Sequence, residues 1–369
     1  MDEDKTQVQL THARTETGRR AFIRVAVAGA SAPALLALLP GAAKAADERT
    51  VSIVSYGGAE NDAIQKSFID PFEKKTGIKV VLGAGASLAL LKLQVQSERP
   101  AQWDIVELTG TEYELAVREK LLIPLDYSVM DVANVRAIDR PPYGINYALF
   151  TFVMAWNTSK ISDPPKTWAE FWDTKRYPGK RSLYSNIADG CMLEAALLAD
   201  GVAMNDLYPL DVERALKSLD RLGRQNIIWH AHNGEPVPQL VSHEVNLATS
   251  WTGRVTQAAR QGAHVAYTLD QGGVTDNYLS VSKTSKHARE AFEFLSFISS
   301  NAEGGAKFEE ALMAANPDIA ALKLLPKAIA DAMPNNPDNA GKTFRRNDAW
   351  WAENYERTFL RFKQWLIQS

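Results

Sequence analysis

The sequence predicts an α/β protein with two domains, each an open sheet flanked by helices, and a chain that crosses between them. Strand-like and helix-like segments alternate along residues 50–117, and such alternation favours parallel βαβ crossovers. With 369 residues, of which 46% are hydrophobic, the chain has enough apolar material for two packed cores. The long apolar segment Tyr147–Asn157 is typical of a strand that leaves one domain and enters the other.

Three strand–turn–helix units are predicted in the first part of the chain. Their strands are the apolar runs Thr50–Tyr56, Ile78–Leu82 and Trp103–Glu107, and a glycine-containing turn follows each one. Ser87 is placed to cap the second helix, and Thr109 opens the third with the S/T-x-x-E spacing of a capping box. In open α/β sheets, ligands bind outside the carboxyl ends of the strands, where helix N-termini present free N–H groups. The loop residues that we therefore predict to contact a ligand are Tyr56, Gly57, Ser87, Thr109, Gly110 and Thr111.

A second α/β series follows the crossing segment. Its predicted strands are 182–185, 227–229, 245–250 and 265–269, with 277–281 as a candidate return crossing. The C-terminal third is predicted to be helical, because apolar residues recur there every three to four positions. Asp189, Asp270 and Asp276 fall in the loops between these predicted elements.

Polar and aromatic residues near the predicted crossing strands form a second group of candidates. Trp251, at a strand end, is suited to stacking on a ligand, and a partly buried core position is the alternative. Arg254 offers a fork that suits a carboxylate, and the alternative is exposure to solvent or pairing with a nearby acid. Asp189 and Asp276 are candidates to hold an ammonium group, with solvation or helix capping as the alternative. Asn146 and Tyr147 also lie beside the crossing segment.

Charge and motif content argue against several classes of partner. The 41 Lys and Arg residues against 44 Asp and Glu leave a net charge of −3, so we predict no binding to nucleic acid. Neither G-x-x-x-x-G-K-[ST] nor G-x-G-x-x-G occurs, which removes the support for a nucleotide cofactor bound by those routes. Cys191 is the single cysteine, so no intrachain disulfide forms. We predict neither a cofactor nor a metal.

Three histidines supply the one alternative from a different class of protein. His230 and His232 occupy alternate positions of a predicted strand, and His243 follows after a loop with two prolines. A secreted metal-dependent hydrolase using these three side chains is therefore the rival hypothesis. No convincing catalytic set accompanies them, and we predict that the protein is not an enzyme.

The N-terminal segment resembles a twin-arginine export signal. Arg19 and Arg20 precede the uncharged run Val25–Ala43, and Ala43-Lys44-Ala45 offers the small residues that a signal peptidase recognises. We predict that residues 1–45 are cleaved near Ala45 and that the mature protein is periplasmic. An uncleaved N-terminal anchor is the alternative.

Several short motifs, taken in order, resemble those of bacterial periplasmic solute-binding proteins of the spermidine/putrescine type, which serve ABC importers. The matching segments are Ile53–Gly58, Trp103–Val106, Pro165–Trp172, Tyr177–Lys180, Glu235–Val245, Trp251–Arg254 and Gly272-Gly273. They extend over nearly all of the chain that follows the predicted signal.

The resemblance implies a two-lobed periplasmic-binding-protein fold of type II, with a mixed sheet in each lobe and a ligand trapped in the cleft between them. It implies a monomer that closes by hinge motion and delivers its ligand to an inner-membrane permease. Lobe 1 would comprise residues 46–146 and about 277–312, and lobe 2 residues 147–276 and about 313–369. By position, Tyr56 corresponds to an aromatic cleft wall, Thr109–Thr111 to polar contacts and Trp251 to a stacking tryptophan.

Two departures from the polyamine-binding pattern bear on the ligand. The segment after Gly272-Gly273 lacks the family's aromatic residue, and Asn277 stands where an acid is expected. Asn277 is therefore a further predicted ligand contact. A second family acid aligns near Cys191, which leaves Asp189 as the nearest carboxylate. Because each buried ammonium group needs a compensating anion, a ligand with both an amine and a carboxylate is at least as plausible as a polyamine. A ferric ion or an inorganic anion is a further alternative, although the sequence lacks the adjacent tyrosines of ferric binders.

Overall fold

A mixed nine-stranded sheet forms the centre of the computed structural model, which describes residues 49–97 and 101–368. The predicted signal segment lies outside the described residues. The strands are Thr50–Ser55 (β1), Lys79–Ala84 (β2), Ile105–Thr109 (β3), Ile145–Asn157 (β4), Arg181–Tyr184 (β5), Ile227–His230 (β6), Leu247–Trp251 (β7), Val265–Val281 (β8) and Thr343–Arg345 (β9). They lie in the order β2-β1-β3-β8-β4-β7-β5-β6, and β9 pairs with β8.

Helices cover the sheet and connect its strands. They are Ala59–Ile64 (α1), Asp70–Thr76 (α2), Leu88–Gln96 (α3), Gly110–Arg118 (α4), Trp168–Trp172 (α5), Met192–Ala199 (α6), Val212–Leu222 (α7), Pro236–Val241 (α8), Thr252–Arg260 (α9), Ala288–Ser300 (α10), Ala302–Leu312 (α11), Lys327–Ala330 (α12) and Asp348–Ile367 (α13). A π-helical turn, Gln65–Ile69, joins α1 to α2. Among the described residues, none of the helices is both long and apolar enough to cross a membrane.

Separate hydrophobic cores divide the described chain into two lobes. The first lobe packs β1–β3 against helices that include α1, α2, α10 and α11, and the second packs β5–β7 against α5–α9 and α13. Strand β4 runs through both, since Tyr147 packs in a first-lobe core and Phe152 in a second-lobe core. The mixed α/β fold predicted from the sequence is confirmed, whereas the residue boundaries of the lobes stay a prediction.

The sheet pairs β8 antiparallel to β4 along most of the length of both strands. The sequence predicts two strands here, separated by a loop, and this is wrong, because residues 265–281 form one continuous strand. Asp270 and Asp276 therefore lie in a strand and not in loops. The pairing shifts between Phe152 and Met154 of β4, opposite the part of β8 that contains Gly272 and Gly273.

Gly273 shows why a glycine is needed inside this strand. A Cβ atom added there would lie 2.7 Å from the Cys191 sulfur, which is closer than real side-chain atoms approach. Close packing of the strand backbone against the start of α6 therefore explains the glycine at this position.

Candidate ligand-binding site

A cavity of about 470 Å³ opens between the two lobes, within the usual range of small-molecule pockets of about 300–1,000 Å³. The first lobe contributes residues that follow β1 and β3, and the second lobe contributes residues at the ends of β5 and β7. The predicted site residues that line it are Tyr56, Gly57, Thr109, Asp189, Trp251, Arg254 and Asn277. Among its other lining residues are Glu60, Phe150, Tyr184, Asn233, Gln257, Thr275 and Arg346.

The carboxyl ends of the strands place these side chains together. Tyr56 directly follows β1, Thr109 ends β3 and Trp251 ends β7, and a helix starts within a few residues of each. Thr109 caps α4 through a complete capping box with Glu112, as its sequence spacing predicts. The cavity therefore lies where helix N-termini of both lobes converge.

Arg254 is a cation in the cavity wall that has no partner among the described residues. It stands in the first turn of α9 with an exposed side chain. No described residue forms a hydrogen bond or an ion pair with its guanidinium group. Its five donors are thus free to bind an acceptor that enters the cavity.

Trp251 belongs to an aromatic group that spans the cavity wall and the core. Its ring packs edge-to-face on Phe152, with centroids 5.3 Å apart, and on Phe150 at 6.3 Å. Phe150 and Tyr184 line the cavity beside it. Trp251 therefore lines the cavity and is also partly buried against the core, and its stacking on a ligand stays a prediction.

Three residues of the first-lobe loops that were predicted to contact a ligand do not line the cavity: Ser87, Gly110 and Thr111. Ser87 accepts a hydrogen bond from the Leu90 amide and so caps α3. The Thr111 hydroxyl lies 3.4 Å from the Asp348 carboxylate, which also packs against Gly110. At Gly110 and Thr111, α13 of the second lobe packs against the start of α4.

Asp276 and Asn146 are buried together in a charged network behind the cavity. Asn146 donates to Asp276 over 2.6 Å. Arg345 donates two hydrogen bonds of 2.7 Å to the same carboxylate and a third of 3.0 Å to Asp139. The Asp276 carboxylate is therefore already neutralised, and it does not line the cavity.

Tyr147 is fully buried and supports a pair of carboxyl groups that sequence reasoning missed. Its hydroxyl donates to Glu60 over 2.6 Å, and Glu60 lines the cavity. Glu107 on β3 is fully buried behind it and accepts a 2.7 Å hydrogen bond from Asn277. A glutamate inside the apolar strand Ile105–Thr109 is the sequence signal that could have marked this pair.

Burial dominates the electrostatics of this pair. It raises the pKa of Glu107 well above the usual range, and repulsion from Glu60 raises that pKa further. Burial also raises the pKa of Glu60, although hydrogen bonds from Tyr147 and Glu107 oppose the shift. The two carboxyl groups therefore do not ionise independently.

Arg346 was also missed, and it fixes the position of Asp189. Its buried guanidinium pairs with Asp348 at 2.5 Å and with Asp189 at 3.5 Å. Asn186 donates to the same Asp189 side chain over 2.6 Å. Burial raises the pKa of Asp348 to about 6 despite the nearby arginine. Asp189 thus reaches the cavity as a carboxylate that already has a cationic partner.

The three histidines of the rival hypothesis have unrelated environments. His230 is buried, bonds to the Ser182 hydroxyl at 2.8 Å and stacks on Tyr184. Burial lowers its pKa to about 4, so the ring is neutral at neutral pH. His243 contacts Asn157, and His232 is exposed. The described part of the chain contains no group of three or more His, Cys, Asp or Glu placed to hold a metal ion.

Two lobes joined by long strands, with an open cavity lined from both, define a two-lobed solute-binding protein of the periplasmic type. The chain belongs to the bacterial extracellular solute-binding protein family, whose model matches residues 67–337. The sequence resemblance to this group of proteins is thereby confirmed.

Individual relatives cover nearly the whole chain. It is 29% identical over 341 residues to the gamma-aminobutyric acid-binding protein of Pseudomonas aeruginosa. This alignment covers 90% of this chain and 96% of the relative. It is 22% identical over 314 residues to the spermidine/putrescine-binding periplasmic protein of Escherichia coli, spanning 82% of this chain and 87% of the relative.

Solved structures show the same similarity. The solved structure of the Atu4243 GABA receptor superposes on this chain with a TM-score of 0.79 at 30% sequence identity. The superposition covers 86% of this chain and 97% of the Atu4243 chain. The binding protein AgtB of A. tumefaciens R10, in complex with agropinic acid, gives a TM-score of 0.72 at 33% identity and covers 86% and 99% of the two chains.

Proposed function

We propose that this protein is the periplasmic receptor of an ABC importer and that its ligand is a small organic molecule carrying both an amino and a carboxyl group. The observation that carries this proposal is the Arg254 guanidinium, which has no partner among the described residues and lies in a cavity that also contains carboxylates. The protein binds its ligand, closes, and passes it unchanged to a permease in the inner membrane.

The charges of the cavity favour a ligand with both signs. The ionisable lining residues include two arginines, Arg254 and Arg346, and two acids, Glu60 and Asp189. Arg346 is paired with acids, whereas Arg254 remains free among the described residues. A ligand carboxylate would satisfy Arg254 through two parallel hydrogen bonds and would lose little from leaving water.

The same charges disfavour a polyamine. Each ammonium group of a polyamine requires an anion when it leaves water. Asp276, a candidate for that role, is bound on both oxygens by Arg345. The Arg254 guanidinium, which has no partner among the described residues, would also repel a polycation.

The apolar part of the ligand would lie against the aromatic side chains. Trp251, Phe150, Tyr56 and Tyr184 line the cavity and provide flat apolar faces. Relatives that are named for gamma-aminobutyric acid or solved with agropinic acid support a ligand of this kind.

Calorimetric titration of the mature chain tests the proposal. The panel contains 4-aminobutanoate, other ω-amino acids, amino-acid conjugates, putrescine and spermidine. We expect a tight complex with a ligand that carries both groups, and weaker or no binding of the polyamines. An absence of binding across the panel, or chemical conversion of a bound compound, would overturn the proposal.

A matched pair of arginine variants tests the role of Arg254. Arg254→Gln is expected to weaken binding of the carboxylate ligand by about tenfold or more, because a charge-assisted pair is lost. Arg260→Gln is the control, since Arg260 lies on the same helix but outside this cavity, where it contacts the Glu310 carbonyl. Equal affinities of the two variants would show that Arg254 does not contact the ligand.

A further inference from the structure

We propose that Glu60 receives the ammonium group of the ligand and that Glu107, directly behind it, is a neutral hydrogen-bond partner that holds Glu60 in place. This inference rests on the proposed function and names the anionic half of the same site. It replaces Asp189 and Asp276, to which the sequence assigns this role.

The hydrogen bonds of the competing acids leave Glu60 as the available anion. Asp276 is bound by Arg345, and Asp189 is held by Arg346 and Asn186. Glu112, close to the same loop, accepts from Thr109, Leu88 and Tyr56 and so has its carboxylate occupied by donors. By contrast, no cationic side chain of the described residues pairs with Glu60.

The surroundings of Glu60 suit a carboxylate that binds a cation from the cavity. Tyr147 donates to its Oε1 over 2.6 Å, and the side chain forms part of the cavity wall. The fixed Tyr147 hydroxyl orients the carboxylate from the protein side. A ligand ammonium group entering from the cavity supplies the missing positive charge.

The proton of Glu107 follows from its own contacts. Its Oε1 accepts from the Asn277 amide over 2.7 Å, while its buried Oε2 receives no hydrogen bond from a described residue. The Glu60 carboxyl group and the Tyr147 hydroxyl both interact with Glu107, and Tyr147 gives its own proton to Glu60. Oε2 is therefore satisfied when it carries a proton and donates it to Glu60.

This arrangement gives the pair one negative charge. Two ionised carboxylates at this depth would repel each other and lose their hydration, so one of them keeps its proton. Tyr147 and Tyr56 are the other titratable groups that interact with Glu60, and both pKa values are raised, so both side chains remain neutral donors. The single charge faces the cavity that Arg254 also lines.

Paired isosteric variants test these roles by calorimetry with 4-aminobutanoate and with butanoate, which lacks the amine. Glu60→Gln is expected to weaken 4-aminobutanoate binding by about tenfold or more and to leave butanoate binding within about threefold. Glu107→Gln is expected to preserve the affinity for 4-aminobutanoate within about threefold, because an amide imitates a protonated carboxyl group and still donates to Glu60. Glu303→Gln, an exposed site on α11, is the control.

Tyr147→Phe provides a second route in case Glu60→Gln does not fold. It removes the hydroxyl that orients Glu60 but keeps the ring in the core, and we expect a severalfold loss for 4-aminobutanoate and no change for butanoate. Unchanged 4-aminobutanoate affinity in Glu60→Gln, or in Tyr147→Phe where the first variant does not fold, would overturn the role of Glu60. An equal loss in folded Glu107→Gln and Glu60→Gln would overturn the neutral role of Glu107.

The outcomes separate this inference from the proposed function. If the unmodified protein binds another amino acid of the panel instead, the same variants are compared with that ligand and its deaminated analogue. If it binds no panel member, the proposed function fails and this inference fails with it. If it binds one and Glu60→Gln does not change the affinity, the proposed function stands and only the assignment of Glu60 is wrong.

Discussion

Arg345 binds both oxygens of Asp276, through Nε and Nη2, each over 2.7 Å. The pair joins β9, which is formed late in the chain, to the middle of β8. It lies behind the ligand cavity and also involves Asp139. A residue that sequence reasoning assigned to the ligand is thus part of the framework that positions the crossing strands.

Removing the arginine of this network should destabilise the protein. Arg345→Met is expected to lower the free energy of unfolding by about 3 kcal/mol, because Asp276 and Asp139 would remain buried with less compensating charge. Urea denaturation measures the change. Arg176→Met, which breaks an exposed pair with Asp163, serves as the control and should have a much smaller effect. Similar losses in both variants would contradict a special role for the buried network.

Truncating the cavity tryptophan should affect binding. Trp251→Ala is expected to cost about 1–3 kcal/mol of ligand binding free energy, through the lost stacking surface. Because the ring also packs on Phe152, the thermal midpoint should fall as well. Trp350→Ala on α13, outside the cavity wall, is the control for calorimetric titration. If the affinity of Trp251→Ala were unchanged, Trp251 would not contact the ligand and would serve only in core packing.

Because Glu309 is buried, we expect the free energy of unfolding to depend on pH. Burial, together with repulsion from Asp318, raises the pKa of Glu309 to about 8, although hydrogen bonds from Asn316 and Asn335 oppose the shift. The native state therefore holds a proton that the unfolded chain releases near pH 4.5, so this group's contribution to stability decreases as the pH rises from about 4.5 to 8.

Glu309→Gln should remove that dependence. The amide oxygen can still accept the 2.7 Å hydrogen bond from the Asn316 backbone. We expect the variant to gain stability relative to the unmodified protein as the pH approaches 8 and to show a flatter profile in urea denaturation. Parallel profiles for the two proteins would show that Glu309 is ionised in the native state.

Removal of metal ions should not change ligand binding. The environments of His230, His232 and His243 differ, and we expect dialysis against a chelator and the variant His232→Ala to leave affinity unaltered. Elemental analysis of the purified protein checks the same point. Stoichiometric zinc that disappears in His232→Ala would instead support the hydrolase hypothesis.

Local elements of the fold were predictable from the sequence. The crossing strand Ile145–Asn157 begins two residues before its predicted start and ends where predicted. Ser87 and Thr109 both cap their helices as their spacing indicates. Such features depend on residues a few positions apart, so periodicity and capping preferences suffice to find them.

The continuous strand β8 was not predictable in the same way. Gly272 and Gly273 weaken the strand pattern, and a glycine pair usually marks a turn. The strand forms nevertheless because β4 pairs with it on both sides of the irregularity and because Cys191 leaves no room for a larger residue at 273. Both reasons come from distant parts of the chain.

The sequence by itself determined the α/β class, the crossing strand and the loops from which ligand contacts come, because these follow from local periodicity and strand ends. Only the tertiary structure decided which charged side chains are free to meet a ligand. Asp276 is neutralised by an arginine 69 residues away, and Glu60 meets a tyrosine 87 residues away. The availability of a carboxylate depends on partners that folding brings together, and no local pattern records them.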